Sequence, residues 1–122
     1  MKFFITLLCL LSPLYSFAEP SASTTGTIEA ISEEYGNLET SITQADLDNL
    51  ALRVGDNFTL NHGEESVSVY LGKTYEDVAK GEWVSFVNWE KKLRIAMNLA
   101  NAAETLNIKA GDTFSITITD SD

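Results

Sequence analysis

Apolar residues at every second position are the feature that most constrains this chain. Val67, Val69 and Leu71 alternate with Ser68 and Tyr70. Leu93, Ile95 and Met97 alternate with Arg94 and Ala96, and Phe114, Ile116 and Ile118 with Ser115, Thr117 and Thr119. Successive side chains of a strand point to opposite faces, so each run predicts a strand with one buried side. Threonine-rich outer faces and turn sequences such as Asn61-His62-Gly63 and Leu71-Gly72-Lys73 predict antiparallel neighbours. Many short strands and few helices imply a mostly β fold: a small antiparallel β-barrel or a sandwich, with the barrel expected and one or two short helices added.

Those helices are expected over about Gln44–Leu50, where Thr43 can cap the first turn and Asp46 suits its positive end, and over about Asn101–Leu106, capped by Asn98 or Asn101. An internal echo supports the layout. Residues 50–60 (LALRVGDNFTL) parallel residues 106–116 (LNIKAGDTFSI), each reading as a helix end, a buried aliphatic, a Gly-Asp turn and a strand. The repeat reads as shared punctuation. The segment Glu82–Trp89 (EWVSFVNW) is apolar on both faces, with Trp83, Val87 and Trp89 on one and Val84 and Phe86 on the other. Such a strand is either central in a closed sheet or covered by a partner.

The first eighteen residues read as an export signal. Lys2 supplies the positive start, Phe3–Tyr15 an apolar stretch, and Ser16-Phe17-Ala18 a small-residue cleavage site. The stretch is shorter than the roughly 20 residues of a membrane span, so no stable membrane anchor is expected. The domain organisation is then a signal peptide over 1–18, a polar and flexible lead-in over 19–25, and a β-barrel domain over 26–122, in the periplasm or secreted. About 100 residues remain, enough for one core and too few for two. The lone cysteine, Cys9, leaves with the signal, which excludes disulfides and thiolate metal sites. Eighteen acidic against eight basic residues give a net charge of −10, a surface that repels nucleic acid and anionic lipid.

Catalysis of its own is not expected. His62, the only histidine, lies in a turn and reads as solvated; no spacing offers a metal or a cofactor a set of ligands, and no phosphate-binding glycine motif occurs. The acid pairs Glu33-Glu34 and Glu64-Glu65 read as solvated turn residues, and Asn57-Phe58-Thr59 as a strand start. The asparagines Asn37, Asn88 and Asn101 are more pointed, since a carboxamide offers donor and acceptor together.

Their setting carries a resemblance. Residues 33–42 (EEYGNLETSI) resemble the D-x-F-G-N-hydrophobic-x-T-N-I signature of the S-adenosylmethionine hydroxide adenosyltransferase family, which includes fluorinases and chlorinases. Residues 75–82 (YEDVAKGE) are similar to its T-Y-x-D-V-x-x-G-E stretch, residues 88–106 to its N-S-x-G-x-L-x-I-A…G-N-A-A-x-x-L segment, and Gly111-Asp112 to its closing G-D. The resemblance covers the C-terminal domain, a small antiparallel barrel, and not the N-terminal domain that carries the family's catalytic aspartate. It implies trimers, with S-adenosylmethionine bound between neighbouring subunits and adenine met by the C-terminal domain. It places the adenine side on Tyr35, Asn37, Asn101, Ala102 and Ala103. A further pocket or interface is expected at Glu33, Trp83, Asn88 and Trp89, where the aromatics suit an interface anchor. Departures matter: Asn-Ser-x-Gly is Asn88-Trp89-Glu90-Lys91, which replaces the cradle for the methionine carboxylate by a bulky ring and an acid.

The leading expectation is an exported, non-catalytic binding or assembly module, either binding a small ligand or docking on a protein partner or on copies of itself. One alternative is a binder of adenine nucleosides or S-adenosylmethionine-like ligands. A second is half of an enzyme completed by a separate catalytic chain.

Overall fold

Every alternating run becomes a strand, and the strands close on themselves. The computed structural model describes residues 21–119; the expected export signal lies outside them. In chain order the elements are β1 (Ser21–Ile31), β2 (Leu38–Thr43), α1 (Gln44–Asn49), β3 (Asn57–His62), β4 (Glu65–Leu71), β5 (Trp83–Val87), β6 (Lys92–Met97), α2 (Ala102–Leu106) and β7 (Thr113–Thr119). A single 3-10 turn at Tyr75–Asp77 sits between β4 and β5. Around the barrel the order is β1-β2-β6-β5-β4-β3-β7, returning to β1. All neighbours are antiparallel except β4 and β5, which run parallel through Tyr70–Val84 and Leu71–Ser85. A parallel pair needs a crossover, and residues 72–82 provide it.

Inward residues from all strands meet in one core. Leu38, Leu60, Val69, Leu93, Ile95 and Ile116 are fully buried, and each such side chain contributes about 1.5–3 kcal/mol. Both helices add to it. In α1, Thr43 Oγ1 accepts from Asp46 N at 3.1 Å while Asp46 Oδ2 accepts from Thr43 N at 2.9 Å, a reciprocal cap that sets Leu47 into the core. In α2, Asn101 takes the capping role, accepting from Glu104 N at 2.9 Å. Asn98 instead donates its Nδ2 to Val78 O at 2.9 Å.

The internal echo is geometric as well as sequential. Ala51 and Asn107, each ending a helix, share left-handed φ values of 59° and 53°. Asp56 and Asp112 accept from Arg53 N and Lys109 N, both at 2.9 Å. Gly55 N donates to Leu71 O and Leu71 N to Asp56 O, both at 2.8 Å; Gly111 N donates to Ile28 O at 2.8 Å and Ile28 N to Asp112 O at 2.9 Å. The strands that follow the two corners pair with each other, Leu60 opposite its own echo Ile116. The halves therefore meet across a local two-fold. The match is incomplete because β1 serves on one side where β4 and β5 serve on the other. Its first part pairs with β7 and its last part with β2, with a register shift between Ile28 and Ala30.

Two expectations change here. Residues 21–25, read as a flexible lead-in, form the start of β1, Ser21 opposite Thr119 and Thr25 opposite Ser115. Closure needs backbone partners for β7, and backbone groups pair whatever side chains they carry. Trp83, Val87 and Trp89 do not share a strand face. Trp83 and Val87 pack on the core, whereas Trp89 lies beyond the end of β5 and is 85% exposed. The outer face of β5 is covered by the chain itself: Val84 is fully buried, and Phe86 meets the Tyr75 ring edge-on at 5.1 Å.

Gly26 marks where β1 crosses the core. A Cβ there would lie 2.8 Å from both Ile42 Cγ1 and Phe114 Cζ. Gly26→Ala should destabilise the barrel by about 1–3 kcal/mol, read as a lower urea midpoint with an unchanged m-value.

Candidate functional site

The turn between β1 and β2 builds one wall of a cleft. Gly36, with φ +70°, donates its N–H to Ser32 O at 2.8 Å and accepts from Ala103 N at 3.0 Å, which joins the turn to the start of α2. Asn37 follows, its N–H donated to Ser32 Oγ at 3.0 Å. It is only 4% exposed, and its Nδ2 donates to Tyr75 Oη at 2.7 Å. Among the described residues no hydrogen bond engages its Oδ1. A buried carbonyl without a donor costs about 1–3 kcal/mol.

Tyr75 comes from the crossover, which is pinned at both ends. Asp77 Oδ2 accepts from Lys73 N at 2.7 Å and Thr74 N at 3.2 Å. Gly81 N donates to Asn98 O at 2.7 Å, and Asn98 N to Glu82 O at 3.0 Å. The crossover thus lies over the outside of β5 and β6 and encloses, with the β1–β2 turn and the Met97–Asn101 loop, a cavity of about 630 Å3. Tyr35, Asn37, Tyr75, Met97, Leu99 and Asn101 line it, together with the acids Glu34 and Glu76. Tyr35 and Leu99 are exposed at 59% and 77%. No lysine or arginine lines this cavity, so its field opposes phosphates and suits a neutral or cationic ligand.

A second cluster occupies the turn from β5 to β6. Asn88 Oδ1 accepts from Glu90 N at 2.8 Å and Lys92 N at 3.1 Å, and its Nδ2 donates to Glu39 Oε1 at 3.3 Å. Glu39 Oε2 accepts from Arg94 Nε at 2.7 Å. The Arg94 guanidinium lies 5.7 Å from the centre of the Phe86 ring. Beside them Glu29 accepts from Lys92 Nζ at 3.0 Å, and this hydrogen bond, with the carboxylate charge, holds the lysine above its ordinary pKa. Asn88 thus divides its carboxamide between its own turn and Glu39 of β2.

The residues singled out from sequence therefore separate. Tyr35, Asn37 and Asn101 converge on the cleft. Ala102 is buried in the core, and Ala103, partly buried against it, commits its N–H to Gly36 O. Glu33 is exposed beside the cleft, whose wall is formed by Glu34. Asn88 and Trp89 stand at the far end of the β5–β6 hairpin, and Trp83 borders a different depression with Tyr70 and Gly81. His62, read as a solvated turn residue, ends β3 with Nε2 3.3 Å from Asp112 Oδ2. Among the described residues no group of three histidine, cysteine or acidic side chains could hold a metal. Met97, Asn98 and Leu99 line the cleft with no motif or charge in the sequence to mark them for it. Tyr75 had a signal only through its place in the stretch similar to T-Y-x-D-V.

A closed seven-stranded barrel with this cleft on its outer face defines a small β-barrel domain. Residues 26–115 match the SAM hydroxide adenosyltransferase C-terminal domain, and the chain belongs to that family. The crystal structure of an uncharacterized conserved protein from Thermotoga maritima is similar at 28% identity and a TM-score of 0.70, over 75% of this chain and 35% of that one. That of a conserved hypothetical protein from Thermus thermophilus shares the fold, at 22% identity and a TM-score of 0.53, over 75% of this chain and 34% of that one. The chain spans about a third of the length of these solved structures. No curated protein matches it.

Gly36 tests the link between turn and cap. A Cβ at Gly36 would fall on the Asn101 carboxamide. Gly36→Ala should cost about 2 kcal/mol or more, combining a left-handed residue with a lost cap, whereas Asn101→Ala should cost about 1 kcal/mol. Thermal unfolding of both variants checks the difference.

Proposed function

We propose that this chain is an exported, non-catalytic binding module whose cleft takes a small ligand of the adenine-nucleoside type. The observation that carries the reading is Asn37: a buried carboxamide with its acceptor unengaged among the described residues, lining a cavity of about 630 Å3. Asparagine pairs with adenine by accepting from the exocyclic amine and donating to the ring nitrogen. Asn37 can present that pair if its second amide hydrogen turns to the ligand while the first stays on Tyr75. Tyr35, exposed at the mouth, supplies a stacking face. Glu34 and Glu76 favour a nucleoside, or a sulfonium-bearing relative, over a nucleotide.

Absence of chemistry is supported by what lines the cleft. Its polar side chains are carboxylates, phenols, carboxamides and the Thr74 hydroxyl, with no histidine, lysine or cysteine beside them to activate a nucleophile. The only histidine faces Asp112 and does not line the cavity. In the family, by resemblance, the catalytic aspartate belongs to the other domain. Export rests on the pattern of residues 1–18.

Calorimetry with adenosine, methylthioadenosine and S-adenosylmethionine tests the ligand. Adenosine should bind, adenosine monophosphate more weakly, and Asn37→Ala should weaken adenosine about 10- to 100-fold. No heat from any of them at about 1 mM, where even weak sites fill, rejects the reading. For export, mass spectrometry of the periplasmic fraction should find a chain beginning at Glu19.

A further inference from the structure

One turn remains outside this reading, and it carries two costs. Trp89, at 85% exposed, leaves a large apolar ring in water. Two residues on, Lys91 takes φ +67°, a conformation that costs a side-chain-bearing residue about 1–2 kcal/mol. The turn is nevertheless held: Asn88 N donates to Lys92 O at 2.8 Å, Lys91 N to Asn88 O at 3.0 Å, and the Asn88 carboxamide takes two further N–H groups. A rigid turn presenting an exposed tryptophan has the form of an interface anchor.

The same molecule carries a hole of matching chemistry. The cleft offers Tyr35, Tyr75, Met97 and Leu99 to a ring and the Asn37 Oδ1 acceptor to an indole N–H. Its walls carry Glu34 and Glu76 and no cation, so Lys91, beside the tryptophan, meets opposite charge; Glu90 weakens that match and leaves the indole as the main anchor. Trp89 does not sit in its own cleft: its ring stands in solvent and does not line the cavity.

We propose that the occupant is a second copy: Trp89 of one chain seats in the cleft of the next, head to tail. Such a contact is heterologous, so it closes into a ring or continues as a filament according to the rotation between copies. It goes beyond nucleoside binding and competes with it for the same cavity.

Sedimentation velocity tests it. Wild-type protein at up to about 100 µM should run larger than a monomer. Trp89→Ala and Leu99→Glu, both at exposed sites, should keep the wild-type circular dichroism and melting and raise the dissociation constant at least about 30-fold. Mixed in equal amounts, the two should form a dimer that neither forms alone, because the first keeps an intact cleft and the second an intact tryptophan. A monomeric wild type, or a mixture that stays monomeric, overturns the proposal. Assembly without adenosine binding would remove the nucleoside reading and leave this one; the converse would do the opposite.

Discussion

Closure of the barrel depends on two Gly-Asp corners. Each places a glycine at positive φ, folds an aspartate back onto the chain three residues earlier, and exchanges two backbone hydrogen bonds with a neighbouring strand. One corner holds Leu71 at the end of β4 and the other holds Ile28 in the middle of β1. Because strands β3 and β7 issue from these corners and pair with each other, the corners set which residues face inward around the whole sheet. A slip of one residue at either corner would turn Leu60 or Ile116 out of the core.

The local two-fold also explains where the site lies. On one side a single long strand, β1, spans the distance and leaves its outer surface open. On the other side β4 and β5 run parallel, so residues 72–82 must travel back along the barrel before β5 can begin. That return path covers Val84 and Phe86 and delivers Tyr75 to Asn37. The cleft is therefore a by-product of the departure from symmetry. It lies on the outside of the sheet, open on one side.

Much of this was legible in the alternation and the caps. The inward faces of β4, β6 and β7, the Thr43 cap, a cap for α2 at either Asn98 or Asn101, and both corners were readable, since each rests on interactions within a few residues. Asn37 and Asn101 could be marked through resemblance, with Tyr35. The first part of β1 was not readable: its side chains are small and polar, and its pairing with β7 is made by backbone groups that leave no mark on residue type. Nor was the division between Asn37 and Asn88. Both are partly or fully buried asparagines, yet one lines a cavity and the other divides its carboxamide between its own turn and Glu39.

The amino-acid order alone determined a mostly β domain, the places where strands turn, an acidic surface and a family. Local patterns suffice for these because the period of side chains, the φ demanded at a corner and the sum of charges do not depend on distant neighbours. Only the tertiary structure decided that β4 and β5 lie parallel, that the crossover brings Tyr75 onto Asn37, and that Trp83 turns inward while Trp89 stands in solvent. Those outcomes follow from which segments meet across the closed sheet, and long-range pairing is set by the whole chain at once.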